Sequence, residues 1–159
     1  MILWRIATET RAYAADELTG AGAAKDPGRW NARTDPAVYC APTIAMAVLE
    51  TAAHVDDSGL PLNKFVVGIA VPDAVWAQRE EVSLAALPVT WNAIPAGGGS
   101  VGFGSQWLAS LRSPLLVVPS VIVPEESIVL INPRHPATTG ITATILRRFE
   151  YNRLFRSRA

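Results

Sequence analysis

The chain has 159 residues, half of them hydrophobic and 18% charged, a composition that fits one compact globule and excludes a disordered chain. Fourteen basic residues balance fourteen acidic ones, so no overall field draws the protein to nucleic acid or to a membrane. A single cysteine, Cys40, excludes an internal disulfide and a cage of thiolates around a metal, and two histidines, His54 and His135, weaken a metal-hydrolase reading.

The opening MILWRIATE has too short an apolar run for an export signal, and Arg5 interrupts it. No window approaches the roughly 18 apolar residues of a membrane span, so a cytoplasmic protein is expected. Ile2-Leu3-Trp4-Arg5-Ile6 reads as a first strand, β-branched and aromatic between short polar flanks. The alanine- and glycine-rich stretch from Ala12 to Ala24 has room for a short helix, and Lys25-Asp26-Pro27-Gly28 is a turn signal. Ala37 to Ala41 reads as a second short strand. Pro42 then suits the first turn of a helix from about Thr43 to Val55, apolar almost all the way round and ended by Asp56-Asp57-Ser58-Gly59.

Phe65 to Val71 is the best strand in the chain, a continuous apolar run suited to a buried sheet. A glycine-rich loop after Pro95 leads into a helix expected to begin near Gly104 or Ser105, with Trp107, Leu108 and Leu111 at core spacing. Leu115 to Val118 and Ser120 to Val123 read as a strand interrupted by Pro119. Ile128 to Ile131 is another, and Ile141 to Phe149 the last. Arg147, Arg148, Arg153, Arg156 and Arg158 crowd the C-terminus, where a solvated tail is preferred to a polyanion site. No repeat or linker divides the chain. One domain over residues 1–159 is expected, of α/β (α+β) class, with a central, mainly antiparallel sheet and flanking helices.

Glu50 is the only formally charged side chain between Ala41 and Val55 at neutral pH. Burying a carboxylate costs several kcal/mol unless partners compensate. Two readings are open: Glu50 pairs with His54 one turn on, or it lines a pocket where a ligand or an arginine supplies the partner. Arg29, on a Pro-Gly turn, is placed to grip a phosphate or carboxylate in bidentate fashion, or to pack on Trp30 at the surface. Tyr39 belongs in the core by position, or stacks on a flat ring or hands a hydrogen bond to a sugar. The Gly97–Gly104 loop lacks the lysine and spacing of a phosphate-binding loop. Ser120 lacks the surroundings of a nucleophile elbow, which leaves it a hydrogen-bonding role. His135 reads as a turn histidine in preference to a general base, and Cys40 as a buried, inert thiol.

Six short segments fall in order along the chain: GRWN at Gly28–Asn31, VYCA at Val38–Ala41, AVLETAAH at Ala47–His54, GSQWL at Gly104–Leu108, VPSVIVP at Val118–Pro124 and LINPRHP at Leu130–Pro136. With the opening LWRI, they resemble the RES domain family from about Leu3 to Phe155, and the stretch from Asp73 to Gly99 matches least. The arginine, glutamate and serine that give the family its name fall on Arg29, Glu50 and Ser120, and Tyr39 matches the tyrosine of its site.

The resemblance implies a toxin of a bacterial toxin–antitoxin pair, with a fold similar to that of ADP-ribosyltransferase toxins. It implies that NAD is a substrate rather than a cofactor, cleaved at the nicotinamide–ribose bond by hydrolysis or phosphorolysis. The alternatives are transfer of ADP-ribose to a protein, or a silent module that only binds its antitoxin. The implied partner is an Xre-type helix-turn-helix antitoxin that covers the active site and supplies the DNA contact. In that frame Glu50 stabilises the oxocarbenium-like charge on the ribose, and Arg29 holds the pyrophosphate or adjacent ribose. Tyr39 orients the nicotinamide, and Ser120 donates a bond that fixes the substrate. No metal is expected.

Overall fold

Residues 1–55 and 60–155 are described by the computed structural model. The expected helix stop at Asp56–Gly59 and two of the C-terminal arginines, Arg156 and Arg158, lie outside the described residues. The elements run β1 (Ile2–Thr8), α1 (Ala21–Lys25), β2 (Val38–Cys40), α2 (Ile44–Ala52), β3 (Lys64–Ala70), α3 (Asp73–Trp76), β4 (Glu80–Glu81), α4 (Gly98–Ser110), β5 (Leu115–Pro119), β6 (Ser127–Ile131) and β7 (Thr142–Phe149).

The strands form two sheets rather than one central sheet. One has the order β1-β3-β7 and the other β2-β6-β5-β4. Every pairing is antiparallel except β4 with β5. Among the described residues one bridge joins the sheets: Trp4 and Ala41 exchange both backbone hydrogen bonds at 2.8 Å. The mainly antiparallel, mixed α/β character is as expected and is consistent with an ADP-ribosyltransferase-like fold.

Side-chain alternation divides each strand between two cores. Ile6, Val66, Leu116, Val118 and Leu130 enter the first, where α2 contributes Met46 and Ala47, and α4 contributes Trp107 and Leu108. Leu3, Val67, Ile69, Leu115, Val129 and Ile131 enter the second, which α3 closes with Val75. Burial on both faces explains why β3 reads as an unbroken apolar run.

Three sequence expectations need correction. First, α2 spans nine residues and starts after an N-cap at Thr43, whose hydroxyl accepts from the Met46 N–H at 3.1 Å, so Pro42 precedes the cap instead of opening the helix. It also buries only Met46 and Ala47, while Leu49 is 37% exposed. The helix lies at the surface with one face on the core. Second, α4 begins at Gly98, so most of the supposed glycine loop is helical. Third, the chain turns at Ser120 instead of continuing the strand. Pro119 ends β5, and the Ile122 and Val123 N–H groups both donate to the Ser120 hydroxyl, at 3.0 and 3.1 Å.

Packing explains why α4 carries glycines that weaken its intrinsic propensity. A Cβ on Gly104 would stand 1.9 Å from the Trp30 carbonyl oxygen, so the helix passes the Trp30 backbone only where no side chain intervenes. A Cβ on Gly102, two residues earlier, would meet nothing within 4 Å. The two glycines therefore differ in sign. Gly104→Ala is expected to destabilise the protein by about 2–3 kcal/mol through overpacking. Gly102→Ala is expected to stabilise it by roughly 0.5–1 kcal/mol through helix propensity. Urea denaturation of both variants checks the pair.

Candidate active site

The Gly28–Asn31 turn is organised by a side chain that attracted no role on sequence grounds. Asn31 is fully buried. Its Oδ1 accepts from the Gly28 N–H at 2.9 Å and from the Tyr39 hydroxyl at 2.8 Å. Its Nδ2 donates to the carbonyls of Ala23, Ala32 and Asp35 at 2.8, 3.1 and 3.0 Å. One amide thus ties the turn to α1, to the loop beyond it and to β2. The signal is an asparagine three residues after the glycine of a Pro-Gly turn, a residue type that bonds nearby backbone. The Ser105 hydroxyl of α4 accepts from the Ala32 N–H at 3.1 Å and holds the same loop from the other side.

Tyr39 stands in β2 with its ring against Gly28, where a Cβ would come within 2.6 Å of the phenol oxygen. The oxygen also accepts from the Trp30 N–H at 2.9 Å. Burial pushes the phenol above its ordinary value near 10, against the smaller opposing pulls of the Trp30 N–H and nearby Arg29. Both hydrogen-bonding capacities of the hydroxyl are thus engaged within the protein, which leaves the partly buried ring as the surface available to a ligand.

Arg29 projects from the same turn. Its Nη1 donates to the Trp91 carbonyl at 2.9 Å and the Ala93 carbonyl at 2.7 Å. Nε and Nη2 have no protein acceptor among the described residues. Burial lowers the guanidinium pKa from its ordinary value, and the charge of Glu50 and then Tyr39 partly offsets this. The bland alternative of a surface arginine packed on Trp30 does not describe this group, which is anchored by carbonyls far away in sequence. No sequence signal marks those partners, because they are backbone atoms.

Glu50, in α2, is partly buried, and its Oε1 accepts from the Ser120 hydroxyl at 2.5 Å. The alternative of a Glu50–His54 pair is not realised, since His54 is exposed and the ion pairs of the described residues are Met1–Asp73, Arg79–Glu81 and Arg112–Glu80. Ser120 itself is fully buried. It receives two backbone N–H groups and gives its proton to Glu50, so the expected bond from Ser120 to a substrate needs correction. The serine is a positioning residue for the carboxylate.

Arg29 lies near enough to Glu50 for the carboxylate to favour its charged form and neighbours the neutral phenol of Tyr39, and Ser120 is bonded to Glu50. The remaining candidates do other work. The Cys40 thiol is buried, donates to the Val129 carbonyl at 3.0 Å, and is pushed well above its ordinary pKa by burial. His135 Nδ1 accepts from the Ala137 N–H at 3.2 Å and caps a turn. Arg147, Arg148 and Arg153 are exposed, in keeping with a solvated segment, and line a separate depression of about 220 Å³ with Phe149 and Glu150. Among the described residues no group of three or more His, Cys, Asp or Glu side chains is placed to hold a metal, and no helix is long and apolar enough to cross a membrane.

The model of the RES domain matches residues 2–152. The chain belongs to the RES domain family. It is 52% identical to a protein of Sphingobium sp. (strain YBL2) named Prs ADP-ribosylating toxin, over 94% of this chain and 92% of the relative. It is 36% identical to a protein named Toxin Res from Yersinia enterocolitica serotype O:8 / biotype 1B, over 85% and 86%. A Toxin Res of Photorhabdus laumondii subsp. laumondii is 37% identical over 84% and 82%.

In this RES protein the phenol of Tyr39 carries a stability prediction. Tyr39→Phe removes the donor to Asn31 and the acceptor for Trp30, and is expected to cost about 1–3 kcal/mol at neutral pH. The raised pKa fixes the sign with pH: the wild-type contribution is fully present below about pH 10 and declines above it, as the unfolded chain ionises first. Denaturation midpoints at neutral and alkaline pH should show the gap between wild type and variant narrowing above about pH 10.

Proposed function

We propose that this protein is a toxin that cleaves NAD at the nicotinamide–ribose bond and passes ADP-ribose to a protein acceptor. The observation that carries the reading is the carboxylate of Glu50, fixed by a buried serine within the field of an arginine that keeps donors free. The C1′–N bond of the nicotinamide ribose breaks, and neutral nicotinamide leaves with the electron pair. The ribose left behind has oxocarbenium character. Glu50 stabilises that charge, and its fixed rotamer means that little reorganisation accompanies the step. The free Nε and Nη2 of Arg29 suit the diphosphate of NAD. The Tyr39 ring offers a face for the nicotinamide. A nucleophile of the acceptor then bonds to C1′ and releases its proton. NAD is thus a substrate, and no cofactor or metal is invoked.

The relative sharing 52% identity over most of both chains is named for ADP-ribosylating Prs, so Prs is the proposed acceptor. A second reading, in which water or phosphate takes the place of the protein and NAD is simply depleted, draws on the partial exposure of Glu50, which lets small acceptors reach the site. The proposed inhibitor is an Xre-type helix-turn-helix antitoxin covering this site. With a net charge of zero, the toxin leaves DNA recognition to that partner. The cytoplasm, where NAD is available, is the proposed compartment.

Incubation of the purified protein with NAD labelled in the adenylate half, with and without Prs or phosphate, separates these readings. Nicotinamide release with label on Prs supports the first, and release without label on protein supports the second. Absence of release from a folded protein contradicts both. Glu50→Gln keeps the size and removes the charge, and is expected to lower the rate by at least about 100-fold with an unchanged circular dichroism spectrum. Ser120→Ala loosens the carboxylate without touching NAD. It is expected to lower kcat roughly 10- to 100-fold while the KM for NAD stays near that of the wild type.

A further inference from the structure

We infer that the outer edge of β7, with the basic depression at its end, docks an extended acidic segment of a partner protein. No residue of the candidate active site lines that depression, and binding there needs no NAD chemistry. From Ile141 onward the sequence carries five arginines against one glutamate, in a chain whose formal net charge is zero. Arg147, Arg148 and Arg153 meet around the depression of about 220 Å³, together with Phe149 and Glu150. The ion pairs of the described residues leave all three arginines out. Like charges around one hollow repel each other, and a ligand with several negative charges offsets that repulsion. Arg147 Nη1 donates to the Arg148 carbonyl at 3.2 Å, which holds one guanidinium in place and leaves its other donors free among the described residues.

The strand that leads into the depression is an open edge. β7 ends its sheet, in the order β1-β3-β7, and pairs only with β3. The backbone groups of alternate residues therefore face away from the ladder, where an added strand meets them. The register jumps from Ile145 opposite Val67 to Arg147 opposite Val66, so Leu146 has no partner on β3, and its side chain is exposed. Arginines and a bulge on an edge are ordinary guards against strand addition. That accounts for Arg147 and Arg148. It does not account for Arg153, which comes from the short turn after the strand and lines the same hollow.

Charge selects the occupant. A second copy of the chain would bring its own Arg147 and Arg148 to the edge, and β7 carries no carboxylate to meet them. A free phosphate or polyphosphate would use the guanidinium groups alone. The surface also has an apolar part: the Phe149 ring of the lining packs edge-on against Tyr151 at 4.9 Å, Tyr151 stacks on Phe155 at 6.2 Å, and Phe155 is exposed. Glu150 in the lining repels a run of phosphates, whereas a peptide N–H donates to it. A peptide that alternates carboxylates with apolar side chains answers each of these groups, and its backbone pairs with the open edge. Arginine and aromatic side chains together are also the composition enriched at protein interfaces.

The test follows the fluorescence anisotropy of a labelled octapeptide of alternating Glu and Val titrated with the purified protein. The same peptide with Lys in place of Glu, tripolyphosphate and oligo-dT serve as the other probes. Expected is saturable binding of the Glu peptide that weakens with added salt, and no binding of the Lys peptide. N-methylation of one of the two alternate sets of peptide nitrogens is expected to abolish binding. The double variant Arg147→Glu/Arg153→Glu should lower the affinity at least about tenfold, with the thermal midpoint and NAD cleavage of the wild type. Arg147→Gln/Arg153→Gln should show a smaller loss in the same direction. Failure of the Glu peptide to bind, equal binding of the Lys peptide, tolerance of N-methylation in both sets, or unchanged affinity in the double variant overturns the inference. Tripolyphosphate or oligo-dT binding as tightly as the peptide makes the surface a general polyanion site, and a wild-type dimer that the variants dissociate assigns it to a second copy; either outcome also overturns it. A wild type that binds the peptide but cleaves no NAD sinks the proposed function alone, and one that cleaves NAD but ignores the peptide sinks this surface alone.

Discussion

Two opposite charges that sense each other without meeting are the constraint on which the site depends. Arg29 and Glu50 interact through space, yet no direct ion pair joins them. At 4 Å and an effective dielectric constant of about 20, such a pair would gain roughly 4 kcal/mol of Coulomb energy before desolvation. Closing that contact would fill the site with its own side chains. Neutral partners keep it open: two backbone carbonyls hold the guanidinium, and a buried hydroxyl holds the carboxylate. Each charge is fixed in place but not neutralised, which leaves both able to act on a ligand that carries an anionic diphosphate and a carbon turning cationic.

The fold serves that separation through a few local devices. The bonds of Asn31 set the turn that projects Arg29 and hold the phenol of Tyr39. Gly104 lets α4 lie against the Trp30 backbone, and Ser105 reaches from the same helix to Ala32. Pro119 ends β5 where Ser120 must leave the ladder, and the turn that follows gathers two N–H groups on its hydroxyl. A hydroxyl receiving two donors directs its own proton outward, and Glu50 is the acceptor. The short motifs of the family, which look degenerate as strings, thus correspond to contacts between segments far apart in the chain.

Much of this was legible beforehand, and the failures have physical causes. β3 and β6 carry apolar runs buried on both faces, so their strands were evident to within a residue or two. The division into two sheets was not evident, because it depends on one bridge between Trp4 and Ala41. The early start of α4 is hidden because glycine counts against a helix locally, while the close approach to Trp30 that demands Gly104 is tertiary. Apolar residues cover nearly the whole surface of α2, a pattern that reads as burial, although only Met46 and Ala47 of the helix are enclosed. A lone carboxylate in such a helix calls for a compensating partner. Its partner was not readable, since Ser120 lies 70 residues on. The carbonyls that anchor Arg29 leave no trace in side-chain identity.

The crystal structure of this protein with an NAD analogue whose nicotinamide ribose bond cannot be cleaved tests the central claim most directly. The account predicts the analogue's diphosphate on Nε and Nη2 of Arg29, and the nicotinamide ribose against the Glu50 carboxylate, with the Ser120 bond retained. An analogue bound away from both residues, or an Arg29–Glu50 ion pair closed beneath it, would contradict the account.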